Sequence, residues 1–138
     1  MSERTKNRNN ELIRYTLPPL LWMALNFTSS SSPSYDFPQV HGILWPKLVH
    51  VIFFSTLSFL TWRALQHHAK RDWAVRHAGL TAFAVAILYG MIDEFHQLYT
   101  AGRHPRMTDV LIDGASAGLF LLALSLYRSM KNIDDAAF

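Results

Sequence analysis

Two basic or titratable residues, Lys47 and His50, stand three apart, and Asp93, Glu94, His96 and Gln97 crowd into a short run. Arg103 and Arg106 follow, and then Asp109 and Asp113, four apart. On helices, separations of three and four put Lys47 with His50, Asp93 with His96 and Gln97, and Asp109 with Asp113 on shared faces. Glu94 is turned about 100° from Asp93. Carboxylates, imidazoles and guanidinium groups in such a set can form an ion-pair network or grip a phosphate or sugar headgroup. They can also hold a divalent cation, or supply acid and base for hydrolysis or transfer. Asp93, Glu94 and His96 are the candidates for catalysis. Lys47, His50, Gln97, Arg103, Asp109 and Asp113 are the candidates for holding a ligand.

Each residue also has a plainer reading. His50 alone is a satisfied interfacial histidine, and His96 could pair with Asp93. Asp109 could cap the helix that follows a Pro-containing turn. Asp113 lies a turn deeper, where a cap does not explain it. Cysteine is absent, which excludes disulfides, thiolate metal sites and cysteine nucleophiles. No cofactor is expected, a divalent cation at the oxygen and imidazole groups being the alternative; their mixture selects no particular metal.

The elements that position these groups are apolar. Segments 13–28, 44–65, 73–98 and 107–127 are separated by a Ser- and Pro-rich loop, by QHHAKRD and by TAGRHPR. The uncharged runs are 15 residues between Lys47 and Arg63, 16 between Arg76 and Asp93, and 14 between Asp113 and Arg128. These are short of the usual ~20-residue span. A soluble helix, however, needs a charged face, and AGLTAFAVAILYGMI or GASAGLFLLALSLY has none. Only 17% of residues are charged, against about 25% in soluble domains. Polar ends and loops hold mean hydropathy to +0.08. The fold expected is all-α, a four-helix transmembrane bundle, with a polar head over 1–11, a membrane domain over 12–130 and a tail over 131–138. Pro18 and Pro19 are expected to kink the first helix or delay its start. The polar head and the lack of a small-residue cleavage site argue against a cleavable signal.

The net charge is +3 with pI near 9.5, yet the cations flank apolar runs rather than line one face, so nucleic acid is not the expected partner. Of the 13 Lys and Arg residues, only Lys47, Arg103 and Arg106 fall at the end where the cluster sits. The others occupy the head, the middle loop and the tail, which the positive-inside rule places in the cytoplasm, N-in and C-in. The cluster is then extracytoplasmic. The inner halves of the last two helices carry no ionisable residue, which makes the site a one-sided pocket rather than a proton path. Gly114 and Gly118 form a small-residue stripe suited to packing inside one chain, and Gly90 offers a second close contact just before the acidic run. His67 and His68, beside Lys70 and Arg71, read as part of a solvated loop.

The stretch YGMIDEFHQLYTAGRHPRMTDVLIDGASAG, residues 89–118, resembles the signature of the VanZ-like membrane protein family. Its recurrent elements are an acidic pair before His-Gln, then Gly-Arg, then Asp and an Asn or Asp before Gly-Ala. They fall on Asp93, Glu94, His96, Gln97, Gly102, Arg103, Asp109, Asp113, Gly114 and Ala115. KLVHVIFFSTLSFL, with Lys47 and His50, and FTSSSSP resemble earlier parts of the family pattern, whereas residues 33–42 resemble it least. The resemblance implies a multi-pass protein of the bacterial cytoplasmic membrane; the family takes its name from a protein associated with low-level resistance to the glycopeptide teicoplanin, which does not make this chain a resistance determinant. It supplies no reaction. Two functions follow as expectations: binding of an anionic membrane lipid or lipid-linked envelope precursor at the outer pocket, or acid/base hydrolysis or transfer on such a lipid.

Overall fold

The computed structural model describes residues 10–32, 44–68, 72–103 and 105–136. The least family-like segment, most of the polar head, and the loop cations Lys70 and Arg71 lie outside these. Among the described residues every regular element is helical. A π-turn, Leu12–Thr16, leads into α1, Leu17–Ser30; α2 is Leu44–His68, α3 Asp72–Gln97 and α4 Met107–Ala136.

The prolines delay the α-helix to Leu17, and a π-turn precedes it. Neither can donate to a carbonyl four residues back. The chain opens into a wider turn just ahead of them, and Leu17 N–H donates to Leu12 O. Both prolines then sit in the first turn of α1, where a missing N–H costs nothing. The other helices extend past their apolar runs: α2 carries His67 and His68 in its last turn, and α4 continues through residue 136.

The helices α2, α3 and α4 each pack against both others, and α1 lies against α2 and α3. Phe54, Leu57, Ala86 and Ala117 form the buried centre. Ala78, Ala82 and Ala86 recur every four residues on α3, so small side chains let the helices approach closely. Polarity is distributed opposite to a soluble protein. Ser58, Asp93, Glu94, Gln97, Asp113 and Ser116 are buried, while Ile52, Leu80, Ile92, Leu111 and Leu119 stand 60–71% exposed. An apolar exterior around a polar interior fits lipid. Three helical stretches are long and apolar enough to cross a membrane, Trp45–His68, Val75–Gln97 and Met107–Lys131.

The first helix crosses the same bundle. Thr16 Oγ1 and His68 Nε2 lie 2.9 Å apart at one end, and Ser31 Oγ and His96 Nε2 lie 2.9 Å apart at the other. Residues 12–30 rise about 28 Å at 1.5 Å per residue, close to the ~30 Å hydrocarbon thickness. His67 and His68 are therefore not a free loop. Besides the Thr16 contact, the His67 ring stacks on Tyr15 at 3.7 Å between centroids.

Candidate functional site

The end of α3, the turn after it, and the starts of α2 and α4 meet at one end of the bundle. The turn depends on Gly102, whose φ of 73° lies in the left-handed region that favours glycine. Arg103 then folds back, Nε donating to Ser32 O at 3.3 Å and a terminal nitrogen to Ser29 O at 3.4 Å. A cation at helix carbonyl ends is favourable, and this one ties the α3–α4 turn to the end of α1.

The helical period decides which residues of α3 face inward. At 100° per residue, Asp93, Gln97, Gly90 and Glu94 fall within an arc about 100° wide, and His96 lies about 60° outside it. Asp93, Glu94, Gln97 and Gly90 are accordingly buried. His96 turns to α1, its ring 4.4 Å from Phe27 and its Nε2 on Ser31. It does not pair with Asp93. Instead Gln97 Nε2 donates to Asp93 Oδ2 at 3.1 Å. Glu94 Oε2 accepts from the Arg106 backbone N–H at 2.6 Å, which fixes the turn into α4. The three candidates for catalysis thus point to three different partners.

The closest pairing joins α2 to α4. His50 Nδ1 and Asp113 Oδ1 are 2.8 Å apart, with Asp113 only 1% exposed and His50 half-buried. The His50 ring lies nearly parallel to Phe54, 6.0 Å between centroids. The second oxygen, Asp113 Oδ2, has no hydrogen-bond partner, nor do Asp93 Oδ1 and Glu94 Oε1. Oδ2 packs against the bare α-carbon of Gly90: a β-carbon there would stand 2.8 Å from it. Gly90 therefore gives α4 its close approach through a carboxylate. Gly114 and Gly118 face Ile87 and Phe83 of α3 at ordinary distances, 3.6 and 3.8 Å from a β-carbon.

Asp109 lies inside the first turn of α4 rather than capping it, favoured there by the helix dipole. It borders a cleft of about 100 Å³ whose other walls are Pro46, Lys47, His50 and Arg106. Lys47 and Arg106 are exposed at its mouth. The cleft collects Lys47, His50 and Asp109 from the expected ligand set, and Asp113 lies directly behind His50. Arg103 and Gln97 are not among its walls. Among the described residues, no group of three or more His, Asp or Glu is placed to hold a metal ion. Pro46 gives no signal as a wall in the sequence because proline carries no chemistry of its own. Trp22, which donates to Phe53 O, and Tyr89, which donates to Met23 O, are hidden in the sequence by their apolar bodies.

The family model described as VanZ/LLP1 matches residues 2–128. No curated protein matches the chain, and no solved structure does. The matched stretch contains α1 to α3, α4 as far as Arg128, the His50–Asp113 pair and the acidic end of α3, and the chain belongs to the VanZ/LLP1 family.

Proposed function

We propose that this membrane protein binds the phosphate-bearing headgroup of an anionic lipid or lipid-linked envelope precursor in the cleft between α2 and α4, on the extracytoplasmic side. The observation that carries this reading is the composition of the cleft and its flanks. Lys47 and Arg106 supply cations and His50 and Asp109 hydrogen-bonding groups. Beside them Leu48 is 51%, Met107 76% and Leu111 71% exposed. A phosphate meets the cations while acyl chains lie along the apolar flanks. At ~30 Å³ per water, a cleft of about 100 Å³ accepts a group the size of a few waters. That is room for one phosphate.

The test is native mass spectrometry of the protein extracted with its own lipids. Lys47→Gln with Arg106→Gln should lower the occupancy of one retained anionic lipid molecule about tenfold. Arg103→Gln should keep the lipid, because Arg103 is engaged with carbonyls of Ser29 and Ser32. Unchanged retention in the double variant would falsify the reading.

The His50–Asp113 pair favours a second reading, hydrolysis of the bound phosphate ester. With Nδ1 committed to Asp113, Nε2 is the ring atom left to take a proton from water. Water oxygen bonds to phosphorus, the bond from phosphorus to the leaving oxygen breaks, and the proton taken by His50 ends on that oxygen. The acid/base role expected of Asp93, Glu94 and His96 moves to this pair. His50→Gln should keep lipid but lose turnover, whereas Asp93→Asn with Glu94→Gln should keep turnover. The opposite split would return the role to the carboxylates of α3.

A further inference from the structure

The far end of the bundle carries a separate cluster that the proposed function does not use. There Tyr15, in the π-turn, is the centre of an aromatic and cationic arrangement. The His67 ring stacks on it at 3.7 Å with 13° between planes. The guanidinium carbon of Arg63 lies 4.8 Å, and that of Arg14 5.5 Å, from its centroid. A guanidinium drawn to a ring by its charge keeps its N–H edge available for an anion. Among the described residues, neither arginine side chain pairs with a carboxylate or donates a hydrogen bond. The carboxylate here, Glu11, faces His67 instead, 3.8 Å from its Nε2.

Beside this ring is a cavity of about 320 Å³, three times the cleft at the opposite end, lined by Asn10, Glu11, Arg14, Tyr15 and His67. It lies where α2 ends and the first helix begins, at the depth of lipid headgroups for helices of this length. The chain on either side is basic by sequence, with Arg4, Lys6 and Arg8 before it and Lys70 and Arg71 after His68. A pocket between membrane helices with Arg14 in its wall and Arg63 on the same tyrosine ring, on the leaflet facing the positive loops, suits an anionic headgroup.

We infer that this cavity is a binding site for the phosphodiester headgroup of an anionic phospholipid. The phosphate lies on the Arg14 guanidinium, with Arg63 adding its charge from the same tyrosine ring and Asn10 its amide donors. Glu11 accepts from a headgroup hydroxyl, which favours a phosphoglycerol over a headgroup without donors. The lipid ties the entry of the first helix to the end of α2.

The test uses the full chain in nanodiscs of phosphatidylglycerol or of phosphatidylcholine, with inorganic phosphate added to the latter as a separate arm. The unfolding temperature should be higher in phosphatidylglycerol, and one molecule of it should survive as an adduct in native mass spectra. Arg14 is exposed, so Arg14→Gln should leave the phosphatidylcholine value unchanged. It should reduce adduct occupancy about fivefold, equivalent to the ~1 kcal/mol of one cation at an anionic surface. These readouts are taken in a Lys47→Gln, Arg106→Gln background, in which the outer cleft is emptied, so failure here is distinct from failure of that cleft. Full adduct retention in Arg14→Gln overturns the site. A rise in unfolding temperature reproduced by inorganic phosphate in phosphatidylcholine overturns the lipid assignment in favour of a free anion.

Discussion

At the scale of single residues, the contact between Gly90 and Asp113 sets the closest approach in the acidic end. Asp113 is held through Oδ1 by His50 and presses Oδ2 onto the α-carbon of Gly90. A methyl group at 90 would meet that oxygen at 2.8 Å, and neither oxygen can retreat without breaking the bond to His50. Gly90→Ala should therefore destabilise the protein by about 1–3 kcal/mol, the usual cost of overpacking a buried contact. Gly114→Ala and Gly118→Ala, whose new methyls would sit at ordinary distances, should change stability by less than about 1 kcal/mol, with lost backbone freedom in the unfolded chain helping. Thermal unfolding in detergent compares the three. Equal losses at all three positions would show that the Gly114–Gly118 stripe, not Gly90, governs the helix contact. The residue types of this end were legible in the sequence because carboxylates and histidines are rare in apolar runs. Their pairing was only partly so. The turn of His96 away from Asp93 follows from 100° per residue, but the His50–Asp113 bond joins positions 63 residues apart, and no local spacing reports it.

At the scale of elements, α1 depends on polar ties more than its neighbours do. Between helices in lipid there is no gain from hiding apolar surface from water, so close packing and hydrogen bonds decide association. Trp22 Nε1 donates to Phe53 O at 3.0 Å, and Tyr89 OH donates to Met23 O at 2.6 Å, joining α1 to α2 and to α3. Each acceptor has a second lone pair beyond its helical bond. Tyr89→Phe and Trp22→Phe should each cost about 0.6–1.7 kcal/mol. The loss should be local: hydrogen exchange should accelerate in α1, Leu17–Ser30, and stay unchanged in the centres of α2, α3 and α4. Uniform acceleration would mean that α1 and the other helices open as one unit. The same asymmetry explains what could be read beforehand. The helices α2 to α4 were legible because an all-apolar circumference has only one comfortable solvent. The first was obscured by Arg14 and the two prolines, and the contacts that show it crossing, Thr16 with His68 and Ser31 with His96, join distant positions. His67 and His68 read as a solvated loop for the same reason, since their partners Tyr15 and Thr16 lie far away in sequence.

For the whole molecule, the two ends differ in charge, and that difference predicts its orientation. With the first helix crossing the bundle, the chain passes from end to end four times and returns to the side where it began. Among the described residues, Lys47, Arg103 and Arg106 are the cations at the cleft end, whereas Arg14, Arg63, Arg76, Arg128 and Lys131 lie toward the other, and the positive-inside rule counts these against it. Arg103 is moreover engaged with carbonyls of the α1 end, so its charge is partly spent within the protein. The cleft end should face outward and both termini inward. The chain has no cysteine, so a single introduced thiol reports its own side without background. Ala101 lies exposed in the turn between α3 and α4, and Lys131 lies exposed near the end of α4. In intact cells a membrane-impermeant maleimide should label Ala101→Cys and leave Lys131→Cys unlabelled until the membrane is permeabilised. The reverse pattern would place the Lys47–Arg106 cleft against the cytoplasmic leaflet and the Arg14 cavity outside, exchanging the lipids available to each. Labelling of both thiols in intact cells would contradict passage of the polypeptide between those two points, and with it the reading of α4 as a membrane span.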